Sequence, residues 1–182
     1  MIDKRSITAQ VHMYLLRPFR IEQKGNAIHL PTRKTESLLA YLVLHPGYHS
    51  REKLATLFWA DSSDVSARGS LRKALNLIRK HVGNEIILAD REYIQLSPDH
   101  DLYCDALEFA RQASQFLAAQ NPDIHQMDFE LYQNELLIDF YEDWVLDERE
   151  HYHQLYIKVL LRAIEGLRAQ SEYDITIQYA KQ

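Results

Sequence analysis

The sequence predicts a mainly α chain with a small β part, divided into two domains. Three observations carry this expectation. Apolar and polar residues alternate before about residue 30; helical periodicity governs three successive segments after it; and the charge reverses sign near residue 100.

The β part opens the chain. Val11 to Leu16 is rich in strand formers, and Phe19-Arg20-Ile21-Glu22 and Ala27-Ile28-His29-Leu30 alternate, with breaks at Pro18 and Gly25-Asn26. A small antiparallel sheet follows from this. Thr32 or Thr35 then caps a helix carrying Leu38, Leu39, Tyr41, Leu42 and Val43, which His45-Pro46-Gly47 ends. Ser50 caps a second helix with Leu54, Leu57 and Phe58 on its apolar face, and Trp59 reads as a core anchor behind it. Asp61 to Asp64 is a turn cluster. A third helix runs from about Val65 to Val82 and stops at Gly83-Asn84. Ile86-Ile87-Leu88 and Tyr93-Ile94-Gln95-Leu96 form a hairpin around Asp90-Arg91-Glu92.

After Ser97-Pro98-Asp99 the pattern is helical throughout. The expected domains are 1–98 and 99–182. Ala106, Leu107, Phe109, Ala110, Ala113, Phe116 and Leu117 make one stripe, broken at Asn121-Pro122. Leu131, Leu136 and Leu137 are expected on a second helix. A long third helix starts near Glu142 and buries Tyr152, Leu155, Tyr156, Val159, Leu160, Ala163, Ile164 and Leu167. Ser171-Glu172-Tyr173 reads as a turn and Ile175 to Gln182 as the start of one more helix, so this domain is expected to continue beyond Gln182 in the natural protein.

The net charge of -5 conceals a division. Residues 1–100 carry 15 Lys+Arg against 10 Asp+Glu; residues 101–182 carry 6 against 16. A basic front half suits a polyanion and an acidic back half repels one. Cys104 is the one cysteine, which excludes an internal disulfide and points to a reducing compartment. The first ten residues form no signal peptide, and no stretch approaches the roughly 20 apolar residues of a membrane span. A cytoplasmic location and no membrane partner are expected.

The third helix carries the chemistry. At 100° per residue, Ala67, Ala74, Leu75, Ile78 and Val82 fall within about 60° of Leu71 and make its buried stripe. The opposite face and its flank hold Ser66, Gly69, Lys73, Asn76 and Lys80, with Arg68, Arg72 and Arg79. No acid lies between Val65 and His81. A solvated surface helix usually interleaves acids with its bases, so an acid-free basic face favours an anionic partner. Two helices joined by a turn, the second facing outward, place a helix in the DNA major groove, where Asn pairs with adenine and Arg with guanine. Lys and flanking Arg side chains hold phosphates. Arg91 at the hairpin tip reaches a phosphate or the minor groove. The expected DNA-binding residues are therefore Ser66, Arg68, Arg72, Lys73, Asn76, Arg79, Lys80 and Arg91.

In the back half, Asp139, Glu142, Asp143, Asp147, Glu148 and Glu150 place six acids within twelve residues. They either solvate a helix start, where acids favour the positive dipole end, or form a docking face for a basic partner. Asp139, Glu142, Asp143 and Asp147, near Trp144, are the candidate partner surface. No metal, cofactor or catalytic site is expected. His151 and His153 point about 200° apart on a helix and cannot share an ion. The five glycines form no phosphate loop, and no Ser or Cys nucleophile stands in a recognisable setting.

Several segments resemble a known family. Leu30-Pro31-Thr32-Arg33-Lys34 entering a Leu-rich helix, Ser50-Arg51-Glu52-Lys53-Leu54 running to Phe58-Trp59, and Ser70-Leu71-Arg72-Lys73-Ala74-Leu75 resemble the OmpR/PhoB-type winged helix of SARP (antibiotic regulatory protein) activators. Tyr132-Gln133-Asn134-Glu135-Leu136-Leu137 and Phe140-Tyr141-Glu142-Asp143-Trp144-Val145 resemble the bacterial transcriptional activation domain (BTAD) that follows it. The resemblance spans nearly the whole chain. It implies a four-stranded sheet before the helices, a hairpin wing, and an all-α domain of tetratricopeptide-like (TPR-like) repeats. It also implies double-stranded DNA as a partner, with tandem direct repeats and a homodimer on DNA as arrangements, and RNA polymerase as the protein recruited. The chain departs from the family at Glu92-Tyr93, where Gly-Tyr is common, and at Leu77, where relatives carry a polar or basic residue. A protein-interaction scaffold, whose winged helix and repeats bind proteins, is the alternative.

Overall fold

Val11–Tyr14 (β1), Arg20–Gln23 (β2) and Asn26–Ile28 (β3) open the computed structural model, which describes residues 10–169. Strands β2 and β3 pair antiparallel with Gln23 opposite Asn26, leaving a two-residue turn at Lys24-Gly25. Both turn residues have positive φ, 51° and 79°. That backbone matches the twist of a tight hairpin, and Gly25 adopts it without a Cβ penalty. The sheet has four strands in the order β3-β2-β1-β7, where β7 is Leu102–Cys104. Among the described residues, then, three strands precede the helices, and the fourth is contributed by chain lying beyond the hairpin. The resemblance implies four strands before the helices; the described residues hold three there. Unlike the three-residue β3 and the three-residue strand Ile87–Ala89, β7 has no hairpin partner next to it in sequence to mark it as a strand.

The chain divides into two compact units. Among the described residues, one is built from 10–13 and 20–103, the other from 14–19 and 104–169. The first holds α1 (Arg33–Leu44), β4 (His49–Ser50), α2 (Arg51–Phe58), α3 (Asp64–Val82), β5 (Ile87–Ala89) and β6 (Tyr93–Leu96). Thr32, Ser50 and Ser63 cap the three helices, accepting the N–H of Thr35, Lys53 and Ser66. Gly83 ends α3 at φ 144°, a conformation costly for any residue with a Cβ. Helix α3 packs on α1 and α2. Its buried residues are Ala67, Leu71, Ala74, Leu75, Ile78 and Val82, the stripe that periodicity predicts, set against Leu38, Leu39, Leu42, Leu54 and Phe58 of the same core. Trp59 is half-buried at the C-cap of α2. Strands β5 and β6 form the expected hairpin, and β4 adds to it in the order β4-β6-β5, with Ser50 opposite Tyr93.

The second unit holds α4 (Asp105–Ala118), 3₁₀ turns at Ile124–Gln126 and Phe129–Leu131, and α5 (Asp143–Ala169). The helix expected over Leu131 to Leu137 is absent, although Leu131, Leu136 and Leu137 are all buried. The backbone here is spent elsewhere. Asn134 and Leu137 donate their N–H groups to Leu16 and Leu15 carbonyls, Leu137 sits at φ 49°, and Arg149 takes the Leu136, Leu137 and Phe140 carbonyls. An i→i−4 ladder cannot form from groups already committed. The turn and helix expected over 171–182 lie outside the described residues.

Asp105, fully buried at the start of α4, anchors the 14–19 segment. Its carboxylate accepts the N–H groups of Leu15, Leu16 and Ala106 at 2.7, 3.2 and 2.8 Å, and Arg17 lies 3.7 Å away. Burial pushes its pKa up from 3.8 to about 6, against the pull of those N–H groups and of Arg17. Replacing Asp105 with Ala strands buried donors, at about 1–3 kcal/mol each. Because the folded pKa is raised, the proton-linked part of Asp105's stabilisation is complete below pH 3.8 and is lost as pH rises through about 6. We expect urea denaturation to show Asp105→Ala as destabilised, with the gap to wild type narrowing from pH 4 to pH 7; a gap that widens with pH contradicts this assignment.

Candidate nucleic-acid interface

Burying one stripe of α3 leaves the other in water. Ser66, Arg68, Arg72, Lys73, Asn76 and Lys80 are exposed and Arg79 is half-buried. Asp64, in the first turn, is the one acid in the 19 residues of the helix, and everything C-terminal to it on the outward face is neutral or basic. Basic residues Arg79, Lys80 and His81 in the last turn also complement the negative end of the helix dipole.

The hairpin turns beside this face. Asp90 organises its tip: one carboxylate oxygen accepts the N–H groups of Glu92 and Tyr93, both at 2.8 Å. Those two bonds, with Arg51 nearby, hold the Asp90 carboxyl below its ordinary pKa. The turn so fixed leaves Arg91 in solvent. Between α3, the start of α2 and the hairpin lies a concavity of about 720 Å³. Arg68, Arg72, Asn76, Arg79 and Arg91 line it, five of the eight residues that the sequence nominates. Ser66, Lys73 and Lys80 stand on the same helix outside it. Its lining also includes three acids, Glu52, Asp90 and Glu92, on the α2 and hairpin sides.

Two arginines tie helices to hairpin. Arg79 donates from Nη2 to the Ile87 carbonyl at 3.1 Å, and Arg51 donates from Nε to the Asp90 carbonyl at 2.8 Å. The Arg51 backbone N–H also donates to the Glu92 carbonyl at 2.9 Å. Sequence pattern alone does not nominate Arg51. Its partners lie about 40 positions away, and only the β4–β6 pairing brings them together. The one local signal was its place directly after the capping Ser50.

The acidic group of the second unit is less concentrated. Asp139, Asp143 and Asp147 are exposed, with Asp143 and Asp147 one turn apart on α5, while Glu142 is half-buried. The Glu142 carbonyl receives the N–H groups of Val145 and Leu146. Trp144 is buried, as aromatics at helical spacing usually are, and Tyr141 beside it is 77% exposed. His45 and His49 are occupied locally, by the Tyr41 and His45 carbonyls. Among the described residues no cluster of His, Cys, Asp or Glu could hold a metal ion, and no helix is long and apolar enough to cross a membrane.

Comparison with known proteins adds the fold. No protein family and no curated protein matches this chain in sequence. Among solved structures, Mycobacterium tuberculosis EmbR, in complex with a low-affinity phosphopeptide, is similar to it with a TM-score of 0.59 and 19% identity. The two chains share a fold. The likeness covers 91% of this chain and 51% of the EmbR chain, so this chain spans about half the length of that neighbour.

The geometry makes a prediction about the hairpin. Arg79→Ala frees the Ile87 carbonyl and removes a charge-assisted bond, which at a half-exposed position is worth about 1 kcal/mol. Amide hydrogen exchange over Ile87 to Leu96 should speed up while exchange in α1 stays unchanged. Unaltered exchange in the hairpin means that Arg79 does not hold it.

Proposed function

We propose that this protein is a sequence-specific DNA-binding transcription regulator of the SARP type. Residues 1–98 act as a winged-helix DNA-binding domain, with α3 in the major groove and the β5–β6 hairpin as the wing. Residues 99–182 act as a BTAD-like, TPR-like helical domain that contacts a protein partner. The single observation that carries the reading is the exposed face of α3: Arg68, Arg72, Lys73, Asn76 and Lys80 stand in solvent with no acid among them. A protein-binding scaffold has no need of that exclusion, since interleaved acids would serve solubility as well.

The roles follow from reach and chemistry. Asn76, central on the exposed face, offers the donor and acceptor pair that reads adenine. Lys73 and Arg72 flank it for guanine or phosphate. Arg68 and Lys80, toward the two ends of the helix, suit backbone phosphates that set register, and Ser66 adds a neutral hydroxyl at the N-terminal end. Arg91 extends from the wing. Tandem direct repeats and a homodimer on DNA are the arrangements this reading favours. RNA polymerase is the partner it assigns to the acidic surface, which makes the protein an activator.

Two experiments test this. Asn76→Ala should weaken binding to the specific site by about 1–3 kcal/mol and relax preference at one base position, while nonspecific binding hardly changes. A gel shift on the selected site and on scrambled DNA reads both; equal losses on the two would show that Asn76 reads no base. For the partner surface, charge reversal at Glu142, Asp143 and Asp147 together should abolish activation of a reporter while leaving the gel shift intact. The loss of acids from the start of α5 costs about 0.3–1 kcal/mol each, too little to unfold the chain. A reporter that still responds would assign these acids to helix solvation alone.

A further inference from the structure

Arg51 begins α2 and is half-buried against the hairpin. Its guanidinium donates one N–H to the Asp90 carbonyl, and that of Arg79 donates one to the Ile87 carbonyl, three residues earlier in the same hairpin. A guanidinium carries five donors in a rigid planar fork. One bond to a backbone carbonyl fixes the group in place without neutralising it and leaves four donors. Both side chains line the same concavity as Arg72, which stands two helical turns before Arg79 on the same face of α3. No ion pair among the described residues involves Arg51, Arg72 or Arg79. Three like charges are thus gathered at one place, none of them in an ion pair, although Glu52, Asp90 and Glu92 line the same concavity and the Asp90 carboxylate acts on Arg51.

We propose that Arg51, Arg72 and Arg79 form one seat for a single phosphate group, at the junction of α2, α3 and the hairpin. Arg51 and Arg79 are preset by the hairpin carbonyls, so little side-chain entropy is lost when the anion arrives. Arg72, which touches no hairpin carbonyl, closes the seat from α3. Burial first, and then Arg79 and Arg72, hold the Arg51 guanidinium below its ordinary pKa, against the pull of the Asp90 carboxylate. A tetrahedral anion relieves that repulsion, and the planar forks suit bidentate contact with its oxygens. The Glu52, Asp90 and Glu92 carboxylates line the same concavity and disfavour a second anion there. A DNA phosphodiester and a free phosphate share this chemistry. The first source rests on the DNA-binding reading above; the second does not.

The two arms of the test separate those sources. In the first arm, DNA affinity of the full chain is measured against salt for Arg51→Gln, Arg72→Gln, Arg79→Gln and the triple variant. Each phosphate neutralised contributes about 0.9 to the slope of log K against log salt. One shared seat predicts that the triple variant loses about 0.9, and no single variant more than that. Three separate contacts predict a loss of about 2.7 in the triple variant, which overturns the seat while leaving DNA binding intact. In the second arm, without DNA, inorganic phosphate is titrated at constant ionic strength and the arginine Nε–H resonances are followed. Arg51 and Arg79 should shift together with one dissociation constant, and Arg72→Gln should weaken it. Circular dichroism checks folding, and Arg72→Gln, which removes no hairpin bond, serves if the other variants unfold. If the chain binds no DNA at any salt, the DNA reading fails and the phosphate titration alone decides: coincident shifts assign the seat to a free phosphate, and their absence overturns it.

Discussion

The apolar stripe of α3 is the constraint on which the rest of the first unit depends. Ala67, Leu71, Ala74, Leu75, Ile78 and Val82 must all leave water together, and they can do so only by seating the helix on α1 and α2 along one line. Once that rotation is fixed, the residues out of phase with the stripe have no choice of direction. Lys73 and Asn76 face solvent because Leu71, Ala74 and Leu75 do not. The same burial that stabilises the unit therefore presents the candidate reading surface, so core and site are two consequences of one periodicity.

The hairpin is bound to that surface by long side chains. Arg79 from α3 and Arg51 from α2 each reach a hairpin carbonyl, and β4 pairs the entry to α2 with β6. The position of Arg91 relative to α3 is thereby set by residues that are themselves basic and face the same concavity. A positively charged clamp of this kind is costly in isolation, since its charges repel; an arriving anion turns the cost into attraction. In the second unit Arg149 plays a comparable part with a different outcome. It satisfies the Leu136, Leu137 and Phe140 carbonyls, and Glu135 lies 3.7 Å from its guanidinium, so its donors serve the fold.

Much of this was legible in the sequence where one element decides its own form. The α3 stripe, the capping Ser50, the hairpin around Asp90 to Glu92 and the long helix from about residue 142 all follow from local period and turn chemistry. What escaped depends on partners far along the chain. Leu131 to Leu137 has helical spacing, but its N–H groups are claimed by Leu15 and Leu16. Strand β7 is three residues long, and only its sheet neighbour identifies it as a strand. In the candidate site the residues of α3 could be nominated because they share one helix. Arg51 could not, because its role exists only after the hairpin folds back on it.

The claim that the exposed face of α3 and the hairpin tip meet DNA is tested most directly by a footprint on the protein. Amide and side-chain chemical shifts of the full chain, recorded with and without a DNA fragment selected for binding, show where contact occurs. The account predicts perturbations at Arg68, Arg72, Lys73, Asn76 and Lys80 and at Arg91, with Asp139, Asp143 and Asp147 unmoved. Perturbations centred on α5, or a DNA complex in which α3 resonances do not shift, would contradict it.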